Sequence, residues 1–407
     1  MAFEALRGWT KEQKHVVAAS YLGWTLDAFD FFLLVLVLTD IAKDFGVSVK
    51  TLSWAITLTL AMRPVGAFIF GRLADRFGRR PIMMIDVLLY ASLAFASAFA
   101  PNVIVFFVLR GLFGVAMGGE WGIGGSLTME SIPARSRGVV SGILQAGYPS
   151  GYLLASIAYG VLFPYLGWRG LFMVGIAPAL LVLYIRRHVP ESPGWSREHT
   201  KAGTIVDVLR NHWRLAIYAV LLMTCFNFFS HGTQDLYPTF LKVDHGFKPH
   251  QIATIQVIYN LGAILGGLAL GSLSQIFGRR RTMIVGALLS LSALPLWAFA
   301  ATPVLLAFGA FLMQFLVQGC WGIIPAHLNE LSPPEARGTF PGVVYQLGNL
   351  FAAVNAPLQV SLAITYGSYG VSLALVAAAA AVMLAVFAFA GSEAKEVDMR
   401  IAAKASA

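Results

Sequence analysis

"GRLADRFGRR" (residues 71–80) and "GSLSQIFGRR" (residues 271–280) are one stretch written twice, 200 residues apart. The same shift lays "EWGIGGSLTMESIPARSRG" (120–138) over "CWGIIPAHLNELSPPEARG" (320–338). Trp121 then meets Trp321, Glu130 meets Glu330, Pro133 meets Pro333 and Arg137 meets Arg337 without a gap. The chain is therefore two copies of one unit. Its composition says what kind: 57% of the 407 residues are hydrophobic, 12% are charged and mean hydropathy is +0.71, whereas soluble domains carry about a quarter charged residues. A helix crosses the hydrocarbon core in about 20 apolar residues, so the chain has room for about a dozen spans and for no sizeable soluble domain.

Apolar spans are predicted near 15–39, 51–71, 81–100, 103–128, 138–163 and 169–188, and again near 212–238, 250–272, 281–300, 303–326, 338–362 and 367–391. The expected fold is all-α and integral to the membrane, with twelve transmembrane helices in two pseudo-symmetric six-helix bundles, residues 1–188 and 212–391. A linker (189–211) joins them and a tail (392–407) follows. Parallel repeats of this kind place a binding site at the midplane, between halves that rock around it.

Lys and Arg fix the expected orientation. Of 29, two lie inside spans (Arg63 and Arg110), and Lys43, Lys50, Arg169, Lys242 and Lys248 lie in the loops of one side. All the others fall in the termini and the connections of the opposite side, which is therefore expected to be cytoplasmic, with both termini and the linker. The net charge of +9 thus reports topology, and no nucleic-acid partner is expected. The N-terminus has no apolar run before a small-residue cleavage site, so the first span reads as an uncleaved insertion signal. Cys225 and Cys320 both fall inside spans, as small core residues rather than a disulfide or metal pair. Short loops and the lack of an Asn-x-Ser/Thr acceptor point to a bacterial inner membrane.

"GRLADRFGRRP" resembles the signature loop of the major facilitator superfamily, and "RGLFGVAMGG" (110–119) is similar to that superfamily's fourth-helix motif. With the duplication, the resemblance covers nearly the whole chain. It implies that Arg72, Asp75, Arg76, Arg79 and Arg80 belong to a cytoplasmic gate, joined from both halves by Glu130, Arg137, Glu330 and Arg337. Gln275 and Ile276 replace Asp75 and Arg76 in the second copy, so this clasp should be lopsided.

Ionisable residues inside the bilayer cost at least about 2.5–3.5 kcal/mol each on insertion scales and call for an explanation. Asp27 and Asp30 are three apart and share a helix face, with Asp27 about 16 Å into the first span. Two carboxylates so close in low dielectric do not readily both carry charge, so one is a candidate carrier of a coupling proton. Arg63, deep in the second span, presents a rigid fork of donors that suits a carboxylate; it is the first choice for an anion-binding group, or else the fixed partner of Asp27 or Asp30. Pro64 suggests a local helix break there. The fourth-helix resemblance implies a link to proton coupling for Arg110; Glu120 is a further candidate for proton coupling or equally a buried hydrogen-bonded acid. Asp86 and His327, near span ends, read as structural or interfacial.

"NFFSHGTQDLYPT" (227–239) concentrates hydrogen-bonding groups in the seventh span. Asn227, His231 and Asp235, spaced by four, form one stripe. A charged imidazole beside a cavity would attract an anion. The 200-residue shift matches Asp27 to Asn227 and Asp30 to Ser230, so the stripe should face the acidic pair across the pseudo-axis. The stretch resembles a signature of lactate and pyruvate proton symporters related to sialate transporters, matched at Asn227, Ser230, His231, Thr233, Gln234, Asp235 and Thr239. The resemblance implies cotransport of a proton with a small monocarboxylate, with Asn227, His231 and Asp235 important for affinity or specificity. With Arg63 and Gln234 they are the expected substrate-site residues, and it stays open whether His231 meets the substrate itself or only holds Asp235 in place.

The expectation is a monomeric secondary transporter whose partners are a small organic anion, protons and the lipid bilayer, with no cofactor and no metal. Aromatic acids or sialate-like sugar acids are the alternative cargo: rigid aromatics around the cavity would favour the former, a larger amide-rich pocket the latter. A non-transporting nutrient sensor would be expected to carry a longer tail. An enzyme would need a nucleophile–base pair or metal cluster, which the residue spacings do not supply.

Overall fold

A computed structural model describes residues 9–132, 137–191, 210–333 and 340–393. The first half comprises α1 (Lys11–Leu36), α2 (Leu38–Asp44), α3 (Val49–Phe77), α4 (Arg79–Ser97), α5 (Val103–Ser131), α6 (Arg137–Val174) and α7 (Ala179–His188). The second comprises α8 (Trp213–Gln234), α9 (Tyr237–Val243), α10 (Pro249–Phe277), α11 (Arg279–Ala298), α12 (Pro303–Trp321), α13 (Ile324–Leu331), α14 (Phe340–Ala352), α15 (Asn355–Tyr366) and α16 (Tyr369–Ala390). Eleven apolar stretches among these residues are long enough to cross a membrane, and one of them, 139–188, runs for 50 residues. That is more than twice the length one crossing needs. Gly167, at φ 61° and ψ −171°, breaks its helical path, which resolves the stretch into two spans and gives twelve.

Local signals explain where helices start and stop. Thr10 opens α1 in a capping box with Gln13. The side chains of Ser48, Asn102, Thr302 and Ser368 accept from the backbone at the starts of α3, α5, α12 and α16, each satisfying an orphan N–H. The stretch 71–77 is helical, the last two turns of α3, and so is 271–277 in α10. The spans therefore extend further than hydropathy alone predicts, because the chain turns only at Gly78 (φ 103°) and Gly278 (φ 94°), a conformation that side chains with a Cβ rarely adopt. Pro64 does not break α3; only the Leu60 carbonyl loses its helical donor there.

The duplication extends to backbone detail. The positive-φ glycines among the described residues fall into the pairs Gly46/Gly246, Gly78/Gly278 and Gly167/Gly367. Helix crossings repeat as well: a Cβ on Gly66 would lie 1.8 Å from the Val115 carbonyl oxygen, and one on Gly266 would lie 1.9 Å from that of Phe315. These bare contacts let α3 meet α5, and α10 meet α12, backbone to backbone. On the outer surface Phe68, Leu88, Leu183, Leu265, Leu289 and Val386 are exposed apolar side chains, as lipid contact requires.

The twelve crossings put both described chain ends on one face, called here the terminal face; the opposite one is the distal face. At the distal face Lys242 of α9 crosses to the first half, with Nζ 2.8 Å from both Asp40 carboxylate oxygens and 2.9 Å from Thr39 Oγ1. Toward the terminal face the halves meet through rings and glycines: Trp121 and Tyr345 lie 4.8 Å apart, and Gly122 abuts Gly342.

Candidate functional site

Between the halves lies a cavity of about 220 Å³, lined by Trp24 of α1, Gln145 and Tyr148 of α6, Asn227, Ser230 and His231 of α8, Gln318 and Trp321 of α12, and Tyr345 of α14. Rings from both halves form its walls. Trp24 stacks on Tyr148 at 5.3 Å, and Trp321 meets Tyr345 edge-on at 5.5 Å.

The polar stripe of α8 supplies the second-half side. Asn227 donates to the Met223 carbonyl at 2.8 Å, leaving its own Oδ1 without a protein partner. His231 Nδ1 is held 3.0 Å from Asp235 Oδ1, so Nε2 is the ring nitrogen left for a ligand. Ser230 Oγ accepts from Gln234 at 2.9 Å and from Gln318 at 3.0 Å. Gln234 and Asp235 do not line the cavity. They lie one turn beyond its polar residues and hold them in place: Gln234 anchors Ser230, and Asp235 anchors His231. In this arrangement the imidazole lines the cavity and the carboxylate stands behind it.

Opposite, Arg63 and Asp27 are both fully buried, with Arg63 Nη2 4.0 Å from Asp27 Oδ2. That is ion-pair distance but too long for a hydrogen bond, and all three guanidinium nitrogens lack a hydrogen-bond partner among protein atoms. The guanidinium lies 5.7 Å from the centre of the Trp24 ring, immediately behind the cavity wall. Asp30 turns away from Asp27's partner. Its Oδ1 lies 2.8 Å from where a Gly175 Cβ would be, and Arg110 is the cation acting on it. The two acids expected as a single close pair are therefore divided between two arginines. Arg110 sits within 4.4 Å, 5.1 Å and 5.8 Å of the centres of the Phe113, Phe172 and Phe106 rings and donates to Ser97 Oγ at 2.8 Å.

Burial corrects the reading of Asp86 and His327 as interfacial: both have no exposed surface. Because α4 begins at Arg79, Asp86 sits about 10 Å into it. Glu120 is also buried, close to Asp27 and Asp86.

The expected cross-half clasp is not what the described gate residues form. Arg72 and Arg76 are exposed and stack on Phe68 and Phe77 of their own helix. The backbone N–H groups of Arg79 and Arg80 donate to Glu191, those of Arg279 and Arg280 to Glu393, so each half plants a carboxylate on a helix N-terminus. The guanidinium of Arg80 caps the Arg186 carbonyl, and that of Arg280 caps Ala388 and Phe389. Glu330 pairs with Arg279 of its own half through two bonds of 3.1 Å. The side chains of Asp75, Glu130 and Arg137, and the whole of Arg337, lie outside the described residues.

The seventh-span residues were found through their polarity. Trp24, Tyr148, Gln145, Gln318, Trp321 and Tyr345 were not among the expected site residues. Gln314 and Gln318, two amides four apart in an apolar span, carried a signal; the rings did not, because aromatics are ordinary in membrane helices. No group of three or more His, Cys, Asp or Glu among the described residues could hold a metal ion.

A family model described as Major Facilitator Superfamily matches residues 20–236 and 220–404. The chain is 29% identical over 377 residues to the sialic acid transporter NanX of Escherichia coli, covering 91% of this chain and 92% of that protein. It is 28% identical over 371 residues to the cis,cis-muconate transport protein of Acinetobacter baylyi, covering 88% and 90%. A carboxylic acid transporter protein homolog of Saccharomyces cerevisiae is 28% identical over 390 residues, 89% of this chain but only 63% of the yeast protein, so the chain spans less than two thirds of its length. The crystal structure of the human organic anion transporter MFSD10 (TETRAN) has the same fold, with a TM-score of 0.70 at 16% identity, covering 93% of this chain and 99% of that one. A duplicated helical bundle with its cavity between the halves, matched by the family model in both copies, makes this multi-pass membrane protein a member of the major facilitator superfamily.

Proposed function

We propose that this protein is a secondary active transporter that carries a small monocarboxylate, lactate or pyruvate, together with a proton by alternating access. The terminal face is cytoplasmic on the positive-inside rule, in a bacterial inner membrane. The observation that carries the reading is the guanidinium of Arg63, buried and without a hydrogen-bond partner beside a cavity whose far wall is His231. A carboxylate between these two groups meets a bidentate donor on one side and an imidazole on the other. The unpartnered amide oxygens of Gln145, Asn227 and Gln318 suit a hydroxyl donor such as that of lactate. When Asp27 takes up a proton, Arg63 loses its counter-ion and becomes free for the substrate. Proton and anion then cross as a neutral pair, which removes most of the cost of moving charge through the bilayer.

A planar unsaturated acid is the second reading, favoured by the four rings around the cavity. The test uses proteoliposomes preloaded with unlabelled lactate, followed for uptake of labelled lactate with and without an inward proton gradient. Counterflow plus gradient-driven accumulation is expected. No counterflow would overturn the substrate, and counterflow of labelled benzoate into benzoate-loaded proteoliposomes without lactate counterflow would favour the planar acid.

A further inference from the structure

The first half buries more acid than it can pair. Asp27, Asp30, Asp86 and Glu120 are at most 1% exposed, and the cations buried with them are Arg63 and Arg110. Arg63 pairs with Asp27 and also acts on Glu120, and Arg110 acts on Asp30, so two cations serve three acids and Asp86 is left with none. The charged groups acting on Asp86 are Glu120 from α5 and Asp27 from α1, both acids; Tyr90 lies one turn along its own helix and feels the same carboxylate. Neither Asp86 oxygen has a protein hydrogen-bond partner, and neither has Glu120 Oε1. A buried carboxyl group with neither a hydrogen-bond partner nor a cation, as at Asp86, is accommodated as the neutral acid, because desolvation of its ionised form is uncompensated.

Their position is as specific as their charge. Glu120 Oε1 occupies the space left by Gly23, where a Cβ would lie 2.3 Å away. Gly23 is one turn closer to the terminal face than Asp27. Ser20, with an unpartnered hydroxyl, comes next: its Oγ and Glu120 Oε1 each lie 3.5 Å from the Cβ position of Gly124. None of Ser20, Asp86 and Glu120 lines the central cavity. The backbone around Glu120, at Gly118, Gly119 and Gly122, instead walls a vestibule of about 490 Å³ beside Arg79 near the terminal face.

We propose that Asp86 and Glu120 are a proton-release pair, through which the coupling proton leaves Asp27 inside the first half while substrate passes between the halves. The inference rests on the proton-coupled reading above. The Asp86 O–H breaks first, giving its proton to water at the terminal face; Glu120 then reprotonates Asp86, and Asp27 reprotonates Glu120. One proton has moved, Asp86 and Glu120 are acids again, and the Asp27 carboxylate closes onto Arg63, displacing the substrate anion.

The test compares wild type, Asp86→Asn and Asp86→Glu in lactate-loaded proteoliposomes. A gradient of roughly one pH unit sustains up to about tenfold accumulation per coupled proton. Asp86→Asn is expected to lose that accumulation while keeping counterflow, which needs no net proton release, within about twofold of wild type; Asp86→Glu is expected to restore accumulation. Full accumulation by Asp86→Asn would overturn the proposal. So would loss of counterflow and accumulation together in both variants with unchanged melting temperature, since that marks a structural role. Wild-type counterflow without accumulation would instead sink the proton-coupled reading itself, and this inference with it.

Discussion

Asp27, Asp30, Arg63, Asp86, Arg110 and Glu120 in the first half correspond, 200 residues on, to Asn227, Ser230, Ala263, Gly286, Ala310 and Cys320. Every ionisable group of that interior set becomes neutral in the second copy, while the backbone scaffold is retained. Turn glycines, glycine crossings and the arginines that cap neighbouring helix ends recur at matched positions. Backbone geometry has to match for two bundles to rock about a common axis, whereas charge in low dielectric is costly enough to be kept only where it acts. The second half adds its own pair of ionisable groups, His231 on Asp235, one turn toward the distal face from Asn227. Under the proposed function this asymmetry divides the work: proton chemistry and the anion's counter-charge in one half, hydrogen-bonding recognition in the other.

The shared scaffold gives the largest expected effect. Gly66→Ala and Gly266→Ala each drive a Cβ into a backbone carbonyl. Each should cost at or above the upper end of the roughly 1–3 kcal/mol typical of overpacking, read as loss of monodisperse protein and a lower melting temperature. A large difference between the two would break the claim that the crossings are equivalent.

Arg63→Ala tests the unequal part. Removing one partner of a buried pair costs about 3–5 kcal/mol, and uptake should fall below detection. Arg63→Ala with Asp27→Asn should regain most of the stability but not the uptake. Full stability of the single variant would mean that Asp27 needs no cation, and near-normal uptake by Arg63→Lys would remove the bidentate fork from the site.

The smallest effect belongs to the second-half wall. His231→Ala should raise the KM for uptake about tenfold, in keeping with the roughly 1.5–3 kcal/mol of a hydrogen bond to a charged group. Asp235→Asn should move KM in the same direction by less. An unchanged KM in His231→Ala would transfer recognition to Asn227 and Gln318.

Much of this was legible beforehand because it is written in one dimension. Span count follows from runs of apolar residues, duplication from aligned motifs, and the α8 stripe from a spacing of four. Asp86 was left as structural or interfacial, and burial removes only the second, because depth counted along a span says nothing of which neighbour the side chain meets; a step of one residue turns it by about 100°. The same rotation sends Asp27 to Arg63 and Asp30 to Arg110, a division that their spacing of three could not reveal. The described gate residues show the same limit. The motif identified which residues are basic, and only packing showed that Arg80 and Arg280 cap helix ends, and that Glu330 pairs with Arg279, within their own halves.

The sequence by itself determined a duplicated, twelve-span membrane protein with a charged first half and a polar stripe in the seventh span, because hydrophobic length, repeats and helical periodicity are local properties of the chain. Only the tertiary structure decided that four rings wall the cavity, that Asp235 stands behind His231, and that Asp86 is buried without a cation. Those facts depend on how each helix is rotated about its axis against its neighbours, and that rotation is set by glycine contacts between residues far apart in the chain.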